Sequence, residues 1–140
     1  MDYIERVKAV GMQPIDAGLK WQGEVWAKRE DLASAIGNKG VDVVSSPATI
    51  GYLEMACVHA VEHLFDEGEA SVGVGFNMRH VGAATMALPI TTEVELTGID
   101  GNMLTFRVQA TQAGRPIMTG EHTRAVIELA RLLAKLNKPA

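Results

Sequence analysis

A single cysteine, Cys57, rules out an internal disulfide. That suits a reducing compartment. No apolar run approaches the roughly 18 residues that a membrane-spanning helix needs. The first ten residues, MDYIERVKAV, carry acidic groups and no apolar core, so they do not read as a secretory signal; a cytoplasmic protein is expected. No basic block stands out, and the formal net charge is -4 from 13 basic and 17 acidic residues, which argues against a nucleic-acid partner. Internal repeats and low-complexity stretches are also missing. What is present is ordinary globular material: 47% apolar residues over 140, enough for one domain, 1–140, with a real core.

The chain is organised around SPATIGYLEMACVHAVEHLF, residues 46–65. Ser46 fits an N-cap and Pro47 the first helical position. At about 100° per residue, Ile50, Leu53, Cys57, Val58, Ala60, Val61, Leu64 and Phe65 fill an arc of roughly 160°. Cys57 lies on that arc, where packing is the expected role. Glu54 lies inside the arc as well. A carboxylate there must be paired, protonated or aimed into a pocket. Two readings follow: a core Glu satisfied by an arginine or by backbone, or a carboxylate kept in a dry site for chemistry.

Around this helix the pattern is mostly strand. Tyr3, Ile4, Val7 and Val10 suggest a short helix before a turn at Gly11 to Pro14. Residues 19–28 alternate as a strand holding both tryptophans, which favours a sheet edge or a subunit contact. Arg29 to Gly40 reads as a loop with one helical turn at Leu32 to Ile36, the kind of segment that often forms a lid. In SVGVGFNMRH, residues 71–80, strict alternation places Val72, Val74, Phe76, Met78 and His80 on one face and Gly73 and Gly75 on the other. The glycines weaken a strand unless something approaches its backbone closely, and His80 is a second polar group on an apolar face. Further strands are expected from Pro89 to Leu96, Met103 to Thr111 and Pro116 to Ile127. They are joined by turns at GIDGN and around Gly114 and followed by a short amphipathic helix, Glu128 to Leu136.

Strand, long helix, then a four-stranded antiparallel meander predicts an α+β fold in which the sheet curls around the central helix, the hotdog arrangement. Such sheets usually pair across a two-fold axis. Three ordered fragments then resemble one family. SSPATIGYLEMAC, SVGVGFNMRH and GEHTRAVI, spread from about Val43 to Ile127, are similar to fluoroacetyl-CoA thioesterase-like proteins. The resemblance implies an acyl-CoA thioester hydrolase with Ser46, Glu54 and His80 as catalytic residues. It also implies that Gly73 and Arg124 contact substrate, that neither cofactor nor metal is used, and that a homodimer or higher homo-oligomer forms. Serine stands at 46 where the best-known members have threonine, and no aromatic residue occurs from Ala27 to Val44, unlike their lid region. Thioester hydrolysis is therefore expected, without the fluorinated substrate.

Hydrolysis needs a nucleophile or activated water, a proton carrier and an oxyanion site. Glu54 could attack or act as base, His80 could activate water and protonate the thiolate, and the Ser46 hydroxyl could orient either. Backbone N–H groups near the helix start or Gly73 could bind the oxyanion. Arg124 could hold an acyl group or a CoA phosphate, or pair with Glu54. His59 to His63 matches the H-x-x-E-H zinc motif. It falls on the polar helix face without an evident third ligand, so a solvated surface is expected. His122, in the G-x-H-x-R block, is expected to be structural or pocket-lining. The rivals are a hydratase or dehydratase on the same fold, and a binding module without turnover.

Overall fold

The structure, a computed structural model, describes residues 17–138. The short helix expected at Tyr3 to Val10 lies outside the described residues. Strand β1 (Lys20–Val25) is followed by two 3-10 turns, Arg29–Asp31 and Ala33–Ile36, and then by helix α1 (Ser46–Val61). Strands β2 (Glu69–His80), β3 (Ile90–Asp100), β4 (Met103–Gln112) and β5 (Arg115–Glu128) complete one antiparallel sheet, and helix α2 (Leu129–Leu136) closes the chain.

The strand order is β1-β3-β4-β5-β2. β3, β4 and β5 form a meander, but β2 pairs with β5 and not with β3, so the expected four-strand meander is corrected to three strands plus a crossover. The connection 81–89 is irregular, not a tight turn, and crosses the sheet end under the buried Gln112. The Gln112 amide accepts from Thr85 N at 3.0 Å and donates to Thr85 O and Leu88 O, both at 2.9 Å, in place of hairpin hydrogen bonds. The β4–β5 hairpin turns through Ala113 and Gly114 with φ of 50° and 77°, the two positive angles of a type I′ turn.

α1 lies against β1, β2, β3 and β4. Leu53, Cys57 and Val61 from the helix meet Val94, Leu96, Leu104, Phe106 and Val108 from the sheet in one core. β3 and β4 alternate as their sequences require, with Glu93 and Arg107 outside. Both tryptophans do sit at a sheet edge: Trp21 is half-buried on edge strand β1, and Trp26 beyond it is 58% exposed.

Three local departures matter for function. Ser45, not Ser46, is the N-cap, its hydroxyl accepting from Ala48 N at 3.1 Å. Regular helix ends at Val61 and continues only as a 3-10 turn, Glu62–Leu64, short of the expected Phe65. The buried stripe includes Thr49 and Ala56, at about 260° and 240° on the wheel whose zero is Ile50. It is thus turned away from the expected apolar arc. Glu54, at about 40°, lies at its margin, with its side chain 34% exposed.

Candidate active site

The helix start carries the first group of interest. With the cap supplied by Ser45, the Ser46 hydroxyl is free to face outward, where its Oγ lies 2.6 Å from His80 Nδ1. His80 ends β2, so the helix start and the strand end meet at this hydrogen bond. Beside it lies a cavity of about 280 Å³, lined by Ala33, Ile36, Val41, Val43, Val44 and Pro47, with Asn38, Ser45, Ser46 and His80 completing the wall. A larger hollow of about 370 Å³ crosses β1, β3 and β4 away from these groups, among Lys20, Glu93, Glu95 and Arg107. Those charged outer-face side chains share its wall with Trp21 and the buried Val94 and Val108.

The second group forms two turns along α1. Strict alternation on β2 fails because the register slips between Gly73 and Gly75. The extra residue, Val74, is a bulge, and it inverts the side-chain phase. Phe76, Met78 and His80 lie opposite His122, Gly120 and Met118 of β5 and keep the inner face. Before the bulge, Gly73 takes that face and Val72 leaves it, so the expected single row of Val72, Val74, Phe76, Met78 and His80 is corrected. Val74 is 51% exposed. A Cβ on Gly73 would come within 2.5 Å of Glu54 Oε2 and 3.2 Å of His122 Cε1. The glycine is there because the carboxylate occupies the space a side chain would need.

Arg124 on β5 is the hub of this second group. Its Nη1 donates to Glu54 Oε2 at 2.9 Å and lies 3.1 Å from His122 Nε2. Nε donates to Ser71 Oγ and Nη2 to Ser71 O, both at 2.8 Å. His122 is fully buried and lies 2.8 Å from Gly75 O through Nδ1. A carbonyl only accepts, so Nδ1 carries the proton, and Nε2 is the acceptor facing Arg124. Burial, reinforced by the Arg124 charge, holds the His122 pKa below the ordinary histidine value despite the Gly75 hydrogen bond and the nearby Glu54. The neutral ring stacks on Phe76 with centroids 4.5 Å apart.

The structure thus brings Ser46 to His80, and Glu54 to Gly73 and Arg124. The two sets do not share a contact within one chain: along the helix axis, Glu54 is about 12 Å beyond Ser46. Arg124 is 4% exposed and its guanidinium is engaged on Glu54, His122 and Ser71, so it positions the carboxylate and does not present a free cation. Ser71 was not singled out in the sequence, because its role arises from the bulge. His59 bonds Glu62 at 3.1 Å on an exposed face, and no cluster of three metal-binding side chains occurs among the described residues. Cys57 is buried in the core, and its thiol is pushed up to about 12, mainly by burial. It is packing material, not a nucleophile.

The model of the fluoroacetyl-CoA-specific thioesterase family matches residues 27–130, a span that holds both groups. The chain belongs to this family. A fluoroacetyl-CoA thioesterase of Streptantibioticus cattleyicolor is 33% identical over 97 residues, covering 69% of this chain and 70% of that one. A solved structure of the fluoroacetyl-CoA thioesterase FlK superposes with a TM-score of 0.82 at 25% identity, covering 91% of this chain and 100% of the other. A hot-dog-like protein from Thermanaerovibrio acidaminovorans shares the fold, with a TM-score of 0.81 at 20% identity over 97% of this chain and 95% of that one. The α+β hotdog architecture expected from the element order is therefore the one present in this thioesterase family.

Proposed function

We propose that this chain hydrolyses a small acyl-CoA thioester, with Ser46, His80 and Glu54 as its catalytic groups. The observation that carries the reading is the 2.6 Å pairing of the Ser46 hydroxyl with the His80 imidazole at the mouth of an apolar cavity. Family membership supports it, since relatives named as fluoroacetyl-CoA thioesterases cover most of the chain. When Nδ1–H donates to Ser46 Oγ, His80 Nε2 is left as an open base. It takes a proton from the attacking water and returns it to the leaving thiolate. Glu54, held in place by Arg124, enters by one of two routes: it attacks the carbonyl to form a mixed anhydride, with His80 protonating the thiolate as the C–S bond breaks and regaining that proton from the water that cleaves the anhydride, or it replaces His80 as the base toward a water that attacks directly. In the first turn of α1, Pro47 has no N–H and those of Ala48 and Thr49 are bonded to Ser45, which leaves the Ser46 N–H as the backbone donor for the developing oxyanion.

The 12 Å helix rise between Ser46 and Glu54 (roughly two turns) argues for a site shared by two protomers. β2 is an edge strand with an open side and carries Val74 and Phe76, each 51% exposed. Antiparallel pairing of two β2 edges about a two-fold axis brings the His80 end of one strand toward the Glu54 half of its partner. The working unit is a homodimer, needing no cofactor. The lone buried cysteine fits a cytoplasmic enzyme, and no described helix is long and apolar enough to cross a membrane. A hydratase would act on the enoyl group and release no thiol. Thiol release from a panel of acyl-CoAs tests the reading. Turnover on some member, reduced at least about 100-fold in His80→Ala, supports it. Saturable binding without any thiol release would replace it with a binding module.

A further inference from the structure

His122 and Arg124 stand two residues apart on β5, and both side chains are buried on its inner face. Each ring nitrogen of His122 has a partner. Nδ1 donates to Gly75 O at 2.8 Å, beside the bulge at Val74. That bond leaves Nε2 as an acceptor, and Arg124 Nη1 donates to it at 3.1 Å. The same Nη1 donates to Glu54 Oε2 at 2.9 Å. Nε2 lies 3.9 Å from Glu54 Oε2, too far for a hydrogen bond, so His122 reaches the carboxylate only through the guanidinium. The ring is itself held in place. Phe76 stacks on it with centroids 4.5 Å apart, and a Cβ on Gly73 would stand 3.2 Å from its Cε1. Burial lowers the His122 pKa, which keeps Nε2 unprotonated at neutral pH. Ser71 takes Nε and Nη2 of Arg124, both at 2.8 Å. Ser71 and His122 thus hold the guanidinium from different edges, with Nη1 turned to Glu54.

We infer that His122 is a positioning residue of the proposed site: its Nε2 holds Arg124 Nη1 where that nitrogen meets Glu54, and its bond to Gly75 O fixes the tautomer that makes Nε2 an acceptor. The inference rests on the thioesterase reading. Without that acceptor, a buried N–H of a cationic group is left unpaired, which costs more than leaving a neutral one. The guanidinium then turns toward another partner, and the Glu54 carboxylate moves with it. A histidine that merely filled this space would need no acceptor facing Arg124. The effect falls on the placement of the carboxylate, so it belongs to the chemical step and not to substrate affinity.

The test is steady-state kinetics of His122→Gln and His122→Asn on the acyl-CoA that the wild type turns over best. The glutamine amide oxygen reaches the place of Nε2 and accepts from Arg124, whereas the asparagine amide stops at the place of Nδ1. The expected kcat is within about threefold of wild type in His122→Gln and at least about tenfold lower in His122→Asn, with KM within about threefold in both. Thermal midpoints on the same samples show that each variant is folded. Full kcat in folded His122→Asn, or a loss in His122→Gln as large as in His122→Asn, overturns the positioning role and leaves thioester hydrolysis standing. Where neither variant folds, the wild-type protein decides. Heteronuclear NMR of its histidine rings should show His122 as the neutral Nδ1–H tautomer at pH 7; an Nε2–H tautomer or an imidazolium overturns the role. No thiol release by the wild type from any acyl-CoA overturns hydrolysis and the role with it.

Discussion

Glu54 and Gly73 show how one atom's position can decide a residue. A methyl group at 73 would stand 2.5 Å from Glu54 Oε2, so Gly73→Ala must push the carboxylate off its place on Arg124. The expected result is a fall in kcat of at least tenfold with KM little changed, read from steady-state kinetics. The titration of His122 has a definite sign. Its folded pKa is lowered while the unfolded chain keeps a value of about 6.5. Below that value the unfolded state takes up a proton that the native state refuses. Stability is therefore lost as pH falls from about 6.5 toward the lowered value. Denaturant melts at pH 7 and 5 should show this loss, and His122→Gln should flatten it. Cys57, buried with its pKa pushed up to about 12, should resist alkylation in the native protein and react only on unfolding. At this scale the apolar patterns of the sequence drew attention to Glu54 and His80, although Glu54 lies at the margin of the buried stripe and not within it. It could not separate Ser45 from Ser46, because two adjacent hydroxyls offer the same cap chemistry and only the helix phase assigns it.

Among the elements, α1 and β2 carry the groups of the proposed site, and each holds a detail that pattern reading misses. The helix start divides two jobs between neighbours: Ser45 caps, and Ser46 faces His80. Ser45→Ala should cost about 1 kcal/mol of stability, seen as a lowered midpoint in urea. Ser46→Ala should leave the midpoint nearly unchanged and reduce turnover. Equal losses of stability in the two variants would contradict this division. The bulge at Val74 is flanked by Gly73 and Gly75, a visible hint, yet strict alternation hides its consequence because one extra residue inverts every side chain before it. The placement of β2 beside β5 was likewise not legible. It depends on Gln112 fastening the 81–89 connection across the sheet, a contact between residues far apart in sequence. The helix was legible from its start signal and broad apolar face, β1, β3 and β4 from their alternation, and β5 from the turn around Gly114 that precedes it.

For the whole molecule, the open β2 edge and the separation of Ser46–His80 from Glu54 point to the same assembly. If two protomers share each site, a dimer made of one Glu54→Gln chain and one His80→Ala chain has one intact site and one doubly damaged site. Mixing and refolding the two inactive variants should then restore about a quarter of the wild-type rate, as two-fold symmetry and random pairing require. No recovery would place all three groups in one chain. Val74→Glu, at an exposed position on the same edge, should shift sedimentation toward monomer and lower turnover with it.

The sharpest test bears on Glu54 itself, which is either a working carboxylate or only the partner that keeps Arg124 buried. Turnover of Glu54→Gln on the best acyl-CoA, with thermal stability and dimer content measured on the same sample, separates the two. A fall of at least about 100-fold in kcat with the dimer intact is the result expected of a catalytic carboxylate. Full turnover in a folded, dimeric variant would contradict that role and leave the ion pair as structure alone.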